Sequence, residues 1–268
     1  MDDGSFLEII ILVSSGLSSY NFKHHVASDI SDNNLFLPPN NLETNRHLEK
    51  ISDWTDENLM QLNIQKTKYM IFNFCKSKQF QTRLSIKNTI LEQVHETKLL
   101  GVIISEDLTW HANTRNIIRK AYMRMEILKK LYEFNVPTSR LVQIDKLFIR
   151  SVTEQSSVVW SSSITADESD DKERTQKVAL RIILRDQYKS YNNALSLVNL
   201  QTLAHRRETL LHKFATKTLK NPKTAHMIKT NQPRRKLRNQ EHFKVEKART
   251  QRFAQSTLNT IAHMLNKS

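Results

Sequence analysis

An α+β fold, with strands grouped ahead of helices, is what the sequence predicts, and three observations carry it. Glycine and proline are scarce, three and five in 268 residues, which suits long helices joined by short connections better than a turn-rich β-sandwich. Short β signals cluster between Lys68 and Ser105. From Trp110 onward apolar residues instead recur at steps of three or four, the helical period. The expected organisation is a small antiparallel unit over 1–110, a mainly helical domain over 111–219, and a basic tail with a short terminal helix over 220–268.

The elements follow in order. Phe6 to Val13 is apolar, a Ser/Gly stretch comes next, and the segment closes near Pro38-Pro39, so 1–37 reads as strand, turn, strand. Over Asn40–Asn63, Leu42, Leu48, Ile51, Trp54, Leu59 and Leu62 predict one amphipathic helix. The β signals are Tyr69–Phe72, Leu84–Ile86 and Leu99–Ile104. The last is expected as a buried strand in which Gly101 permits close backbone approach or a bulge.

Past Trp110, Ile117, Ala121, Met125, Leu128 and Leu131 mark a helix whose opposite face carries Arg119, Lys120, Lys129 and Lys130. Pro137 stops it, and Thr138 or Ser139 can cap the next helix, which runs through Leu141, Ile144, Leu147 and Phe148. Helices over about 169–186 and 202–219 are expected next. In the second, Leu203, Leu210, Leu211, Phe214 and Thr218 form the apolar stripe, with Arg206, Arg207, Lys213 and Lys217 around the rest. Residues 220–247 read as a polar linker or arm containing Arg234-Arg235-Lys236-Leu237-Arg238, and a final short helix is expected over about 249–265.

Charge is strongly localised. Residues 1–200 carry 25 Lys and Arg against 24 Asp and Glu, a net of +1, whereas 201–268 carry 16 against 3, a net of +13. A localised excess predicts a polyanionic partner, because clustered cations neutralise phosphates and release condensed counterions. Arg119, Lys120, Lys129, Lys130, Arg206, Arg207, Arg234, Arg235, Lys236 and Arg238 are the candidate nucleic-acid contacts. The 234–238 cluster also has the composition read by nuclear import receptors.

The single cysteine, Cys75, excludes an intramolecular disulfide and a cysteine-rich zinc site, and fits an intracellular chain of nucleus or cytoplasm. The Phe6–Val13 run contains Glu8 and is too short to span a bilayer, so no membrane partner is expected. His24-His25 would point to opposite faces of a strand, and His205 and His212 lack a ligand partner at metal spacing. No Gly-rich phosphate loop or Ser-His-Asp set is present, and neither a small-molecule substrate nor a cofactor is expected.

Several phrases occur in a fixed order: "WTDENLMQLNIQKTKYMIF" from Trp54, "KLLGVIISEDLTWHANTRNIIRKAYMRMEILKKL" from Lys98, "VVW" at 158–160, "TQKVALRIIL" at 175–184, "SYNNAL" at 190–195, "LQTLAHRRETLLHKFA" at 200–215 and "ARTQRFAQSTLNTIAHMLN" at 248–266. Together they resemble the C-terminal part of jockey-like non-LTR retrotransposon reverse transcriptases. The resemblance implies that 1–110 is a palm remnant, 111–219 a thumb-like domain, and Lys66, Lys68 and Gly101 remnants of palm motifs.

Intact members of that family are RNA-directed DNA polymerases whose palm aspartates hold two Mg²⁺ ions, which stabilise the attacking and leaving oxygens. Where the paired aspartates belong, this sequence has Val26-Ala27 or Ala27-Ser28, depending on register, with Asp29 and Asp32 displaced. The palm motif that bears the third ligand, and the fingers, have no counterpart here. The expectation is therefore a non-enzymatic relic with Mg²⁺ required only by an intact relative. Lys66 and Lys68 would then be solvated lysines at a helix-to-strand junction. A nonspecific nucleic-acid-binding module with a role independent of polymerisation is the alternative.

Overall fold

Tyr69 to Phe72 are all buried, so the strand they form needs cover on both faces and partners on both edges. The computed structural model, which describes residues 7–12, 41–60, 62–73, 83–231, 242–248 and 250–267, provides those partners. β1 (Leu7–Leu12) lies antiparallel to β2 (Lys68–Asn73), with Leu7 opposite Asn73 and Leu12 opposite Lys68. On the other edge Glu92–Gln93 runs parallel to β2. The fold is mixed helix and strand, an α+β protein, and separates into two units, Met1–Thr109 and Trp110–Ser268.

In the first unit, α1 (Asn41–Glu57) begins within two residues of the expected start and buries Thr44, Leu48, Ser52 and Thr55. The apolar residues of the predicted stripe do not decide this face: Ile51 and Trp54 are half-buried, and Leu59 is 97% exposed. Leu59 takes φ 54°, and Met60 N–H donates to the Thr55 carbonyl at 2.8 Å, closing the helix in the manner of a Schellman motif.

Two tight hairpins follow. Ser85–Ile86 pairs with Thr89–Ile90 around Lys87-Asn88, and β3 (Glu96–Leu99) pairs with β4 (Val102–Ser105) around Leu100-Gly101. All four loop residues have positive φ, as a type I′ connection requires. The first hairpin docks on α1 through Ser85 N–H to Asn45 Oδ1 at 3.0 Å and Lys87 to Asp56 at 2.6 Å. Leu48, Tyr69, Ile71, Leu84, Ile86 and Leu91 make this unit's core.

The stretch Leu99–Ile104 is thus a hairpin and not one buried strand. Gly101 at φ 90° turns the chain, while Leu99 and Leu100 are 42% and 88% exposed. Two adjacent left-handed residues reverse the chain where apolar composition alone suggests it continues.

The second unit is built on α2 (His111–Glu133), which buries Ile117, Ala121, Met125 and Leu128 as its spacing predicts. Next come α3 (Thr138–Ile144), a π turn (Asp145–Ile149) and α4 (Arg150–Glu154) in continuous succession. Pro137 occupies the cap position of α3, and no side chain caps it. The π turn inserts a residue and rotates the downstream face. Asp145, Ile149 and Val152 consequently point inward, while the expected core residues Leu147 and Phe148 are 78% and 37% exposed.

The remaining helices are α5 (Ser157–Trp160), α6 (Ala166–Leu184), α7 (Tyr191–Leu197), α8 (Leu203–Lys220), α9 (Gln251–Ala254) and α10 (Thr257–Lys267). α6 opens with a capping box, Thr165 and Glu168 satisfying each other's backbone N–H. Ser190, Thr202 and Thr250 cap α7, α8 and α9.

The larger core joins α2, α3, α6 and α7 through residues such as Met125, Leu141, Leu180 and Leu195. A second cluster joins Leu211 and Ala215 of α8 to Ile261 of α10 and to Ile228 and Phe243. The described ends of the 220–247 segment are therefore tied down, and Thr230 bridges Phe243 in antiparallel fashion. Phe214, expected in the core, is 38% exposed, and its place on the inner face goes to Ala215. Among the described residues no helix is long and apolar enough to cross a membrane.

Candidate nucleic-acid interface

The basic residues of α2 fall outside its buried face because Ile117, Ala121, Met125 and Leu128 occupy the inward stripe. Arg119 and Lys130 are exposed and lie about three helical turns apart, on one side of the helix. Lys129 is exposed too, but its ammonium sits 2.7 Å from Glu126 on the same helix. Lys120 is half-buried.

The α8 arginines are placed differently from what sequence suggests. Arg206 donates through Nε and Nη2 to the two carboxylate oxygens of Glu154 at 3.1 and 2.9 Å, and Arg150 donates to the same carboxylate at 3.0 Å. Burial works to raise Glu154, but the hydrogen bonds and charges of Arg206 and Arg150 prevail and hold it below the usual range. Arg207 is 7% exposed and donates to Ser169 Oγ at 2.6 Å, and burial pulls its guanidinium down. Arg207 is thus an internal strut between α8 and α6 and not a surface contact. Arg206 is largely spent on an ion pair across a shallow cleft of about 380 Å³ that Lys146, Asn199 and Gln201 also line.

Exposed cations of the second unit instead include Lys213, Lys217, Lys220 and Lys223, along α8 and just past its end. Arg234, Arg235, Lys236 and Arg238 lie outside the described residues.

A second basic row lies on α6. Lys177 and Arg181 stand one turn apart, and Arg185 extends the row at the helix end, its N–H donating to the Arg181 carbonyl. Each rests over a tyrosine ring: Lys177 at 5.2 Å from the Tyr191 centroid, Arg181 at 5.3 Å from Tyr188 and Arg185 at 4.6 Å from Tyr132. The steps of four were readable in the sequence, but Tyr132 comes from α2 and reaches the row only through the fold.

The positions that the resemblance assigns to palm motifs fall in the first unit. Lys66 is exposed at the end of a 3-10 turn capped by Asn63, whose Oδ1 accepts its N–H at 3.1 Å. Lys68 ion-pairs with Glu92 of the neighbouring strand at 2.9 Å. Thr67 between them is buried and donates to the Asn63 carbonyl.

Among the described residues no three His, Cys, Asp or Glu side chains converge on a point where a metal would sit. Residues 20–32, where the resemblance would place paired aspartates, and His24-His25 lie outside the described residues. Comparison with protein-family models, with curated proteins and with solved structures returned no match.

Proposed function

We propose that this chain is a degenerate piece of a non-LTR retrotransposon reverse transcriptase, comprising the end of a palm, a thumb-like helical unit and a basic tail. It no longer polymerises, and it retains sequence-nonspecific affinity for nucleic acid. Three things support the reading: the ordered phrases between residues 54 and 266, the succession of small sheets and then helices, and the replacement of the paired aspartates by Val26-Ala27 or Ala27-Ser28. Two-metal phosphoryl transfer needs converging carboxylates, and isolated ones do not hold the ions in place.

The observation that carries the binding half is the net +13 of residues 201–268. Phosphate neutralisation of this kind gives affinity that falls steeply with salt and is indifferent to base sequence. The test is fluorescence anisotropy with a labelled primer-template duplex over a salt series. Neutralising Lys213, Lys217, Lys220 and Lys223 together to Gln should flatten the salt dependence. Absence of binding by the intact chain at low salt sinks the binding half. Incorporation of nucleotides in a primer-extension assay with Mg²⁺ sinks the claim of lost catalysis.

A further inference from the structure

The tyrosine-backed row on α6 lies outside residues 201–268 and outside every basic cluster evident from sequence. Charge is unevenly distributed along this helix: Asp167, Glu168, Asp170, Asp171 and Glu173 lie in its first half, and no acid intervenes from Arg174 to Arg185. Glu173, the nearest acid on the N-terminal side, accepts hydrogen bonds from Tyr191 Oη and from the Leu203 and Ala204 N–H groups. Asp186 is the one acid beside Arg185 in sequence. The row is therefore not neutralised along its own helix.

Geometry matters as much as charge. Cations four residues apart on a helix rise by about 6 Å per step, a repeat comparable to that between neighbouring phosphates of one extended strand. A guanidinium laid over an aromatic ring is attracted through its face and keeps its in-plane N–H donors directed outward. The tyrosines thus hold the cations in position before any ligand arrives, which lowers the entropy lost on binding. A bilayer presents its phosphates over an area and would favour a broad basic face, whereas these cations form a single line.

We propose that Lys177, Arg181 and Arg185 form a track for one sugar-phosphate strand of nucleic acid, contacting successive phosphates through cations preset on Tyr191, Tyr188 and Tyr132. The proposal rests on the nucleic-acid reading above and assigns to it a second, separate contact surface.

The test uses the full chain and a labelled single-stranded oligothymidylate, followed by anisotropy over a salt series. The Lys177→Gln/Arg181→Gln/Arg185→Gln variant should lose about 2 from the slope of log affinity against log salt, since each single-strand phosphate contact contributes roughly 0.7. Its thermal melt should stay cooperative and drop only by the loss of three cation–π contacts, because none of the three side chains is buried. Tyr132→Leu keeps every charge and removes the ring beneath Arg185, so it should weaken binding several-fold with an unchanged slope. An unchanged slope in the triple variant overturns the track, and this remains distinct from failure of the wider reading if the Lys213/Lys217/Lys220/Lys223 variant still flattens the slope. Vesicles containing phosphatidylserine serve as the competing surface. Loss of vesicle binding in the triple variant, with oligothymidylate affinity retained, also overturns the proposal.

Discussion

The ammonium of Lys172, on α6, lies 2.6 Å from the hydroxyl of Thr114, on α2, with no exposed surface of its own, and 4.3 Å above the ring of buried Trp160. Burial lowers this lysine from 10.5 to about 7, against the opposing pull of Glu168. Between those values the unfolded chain holds a proton that the folded chain has released, so stability rises with pH, by about 1.4 kcal/mol per unit. Below about 7 both states carry the charge, and the full cost of burying it is present. Lys172→Met keeps the bulk and removes the titration. The difference in melting temperature between parent and variant should therefore favour the variant at pH 7 and shrink toward pH 10, as differential scanning calorimetry over that range would record.

Asp145 presents the opposite sign. It lies in the π turn with no exposed surface, and neither carboxylate oxygen accepts a hydrogen bond among the described residues. Burial raises it from 3.8 to about 6, with Arg150 and Lys146 pulling down and Glu154 pushing up. Its contribution to stability is present below 3.8 and is lost as pH rises through about 6. Asp145→Asn should raise the urea midpoint at pH 7.5, by an amount equivalent to about 1–3 kcal/mol, and change it little at pH 4.

Glu154 holds two arginines at once, and its side chain is 15% exposed against 10% for Arg150. Glu154→Leu strands Arg150 in a half-dry setting and should cost about 2–4 kcal/mol in chemical denaturation. Arg206→Leu, which leaves the Arg150–Glu154 pair intact, should cost distinctly less. Equal losses would show that the two ion pairs act as one unit.

Leu100 adopts φ 49° at the first position of the β3–β4 turn, where it is 88% exposed. A left-handed leucine costs about 1–2 kcal/mol, and Asn-Gly is the favoured pair for this connection. Leu100→Asn should raise the stability of the first unit by about 1 kcal/mol, seen as slower exchange of the amides paired between Glu96–Leu99 and Val102–Ser105.

Local patterns were legible wherever the buried face follows from spacing. The inward residues of α2 were readable because helix period and apolar identity agree there. The β2 strand was readable because four successive apolar residues have no exposed alternative. The course of α3, the π turn and α4 was not, since an inserted residue changes which side chains face the core and leaves no local trace in composition. The basic surface was half legible. Lys213 and Lys217 are exposed as expected, whereas Arg206 and Arg207 acquire partners on other elements.

By itself the sequence determined the α+β class, the concentration of charge in its last quarter and the order of the phrases on which the family resemblance rests. Composition and short-range periodicity are properties of neighbouring residues, so they survive without a fold. Only the tertiary structure decided which cations are structural and which are presented to solvent. Glu154 claims Arg206 and Ser169 claims Arg207 across more than one helix, while Tyr132, Tyr188 and Tyr191 converge on Lys177, Arg181 and Arg185 from separate segments. A charge is spent or offered according to what packs beside it, and contacts between distant segments cannot be read from a periodicity that extends only a few residues.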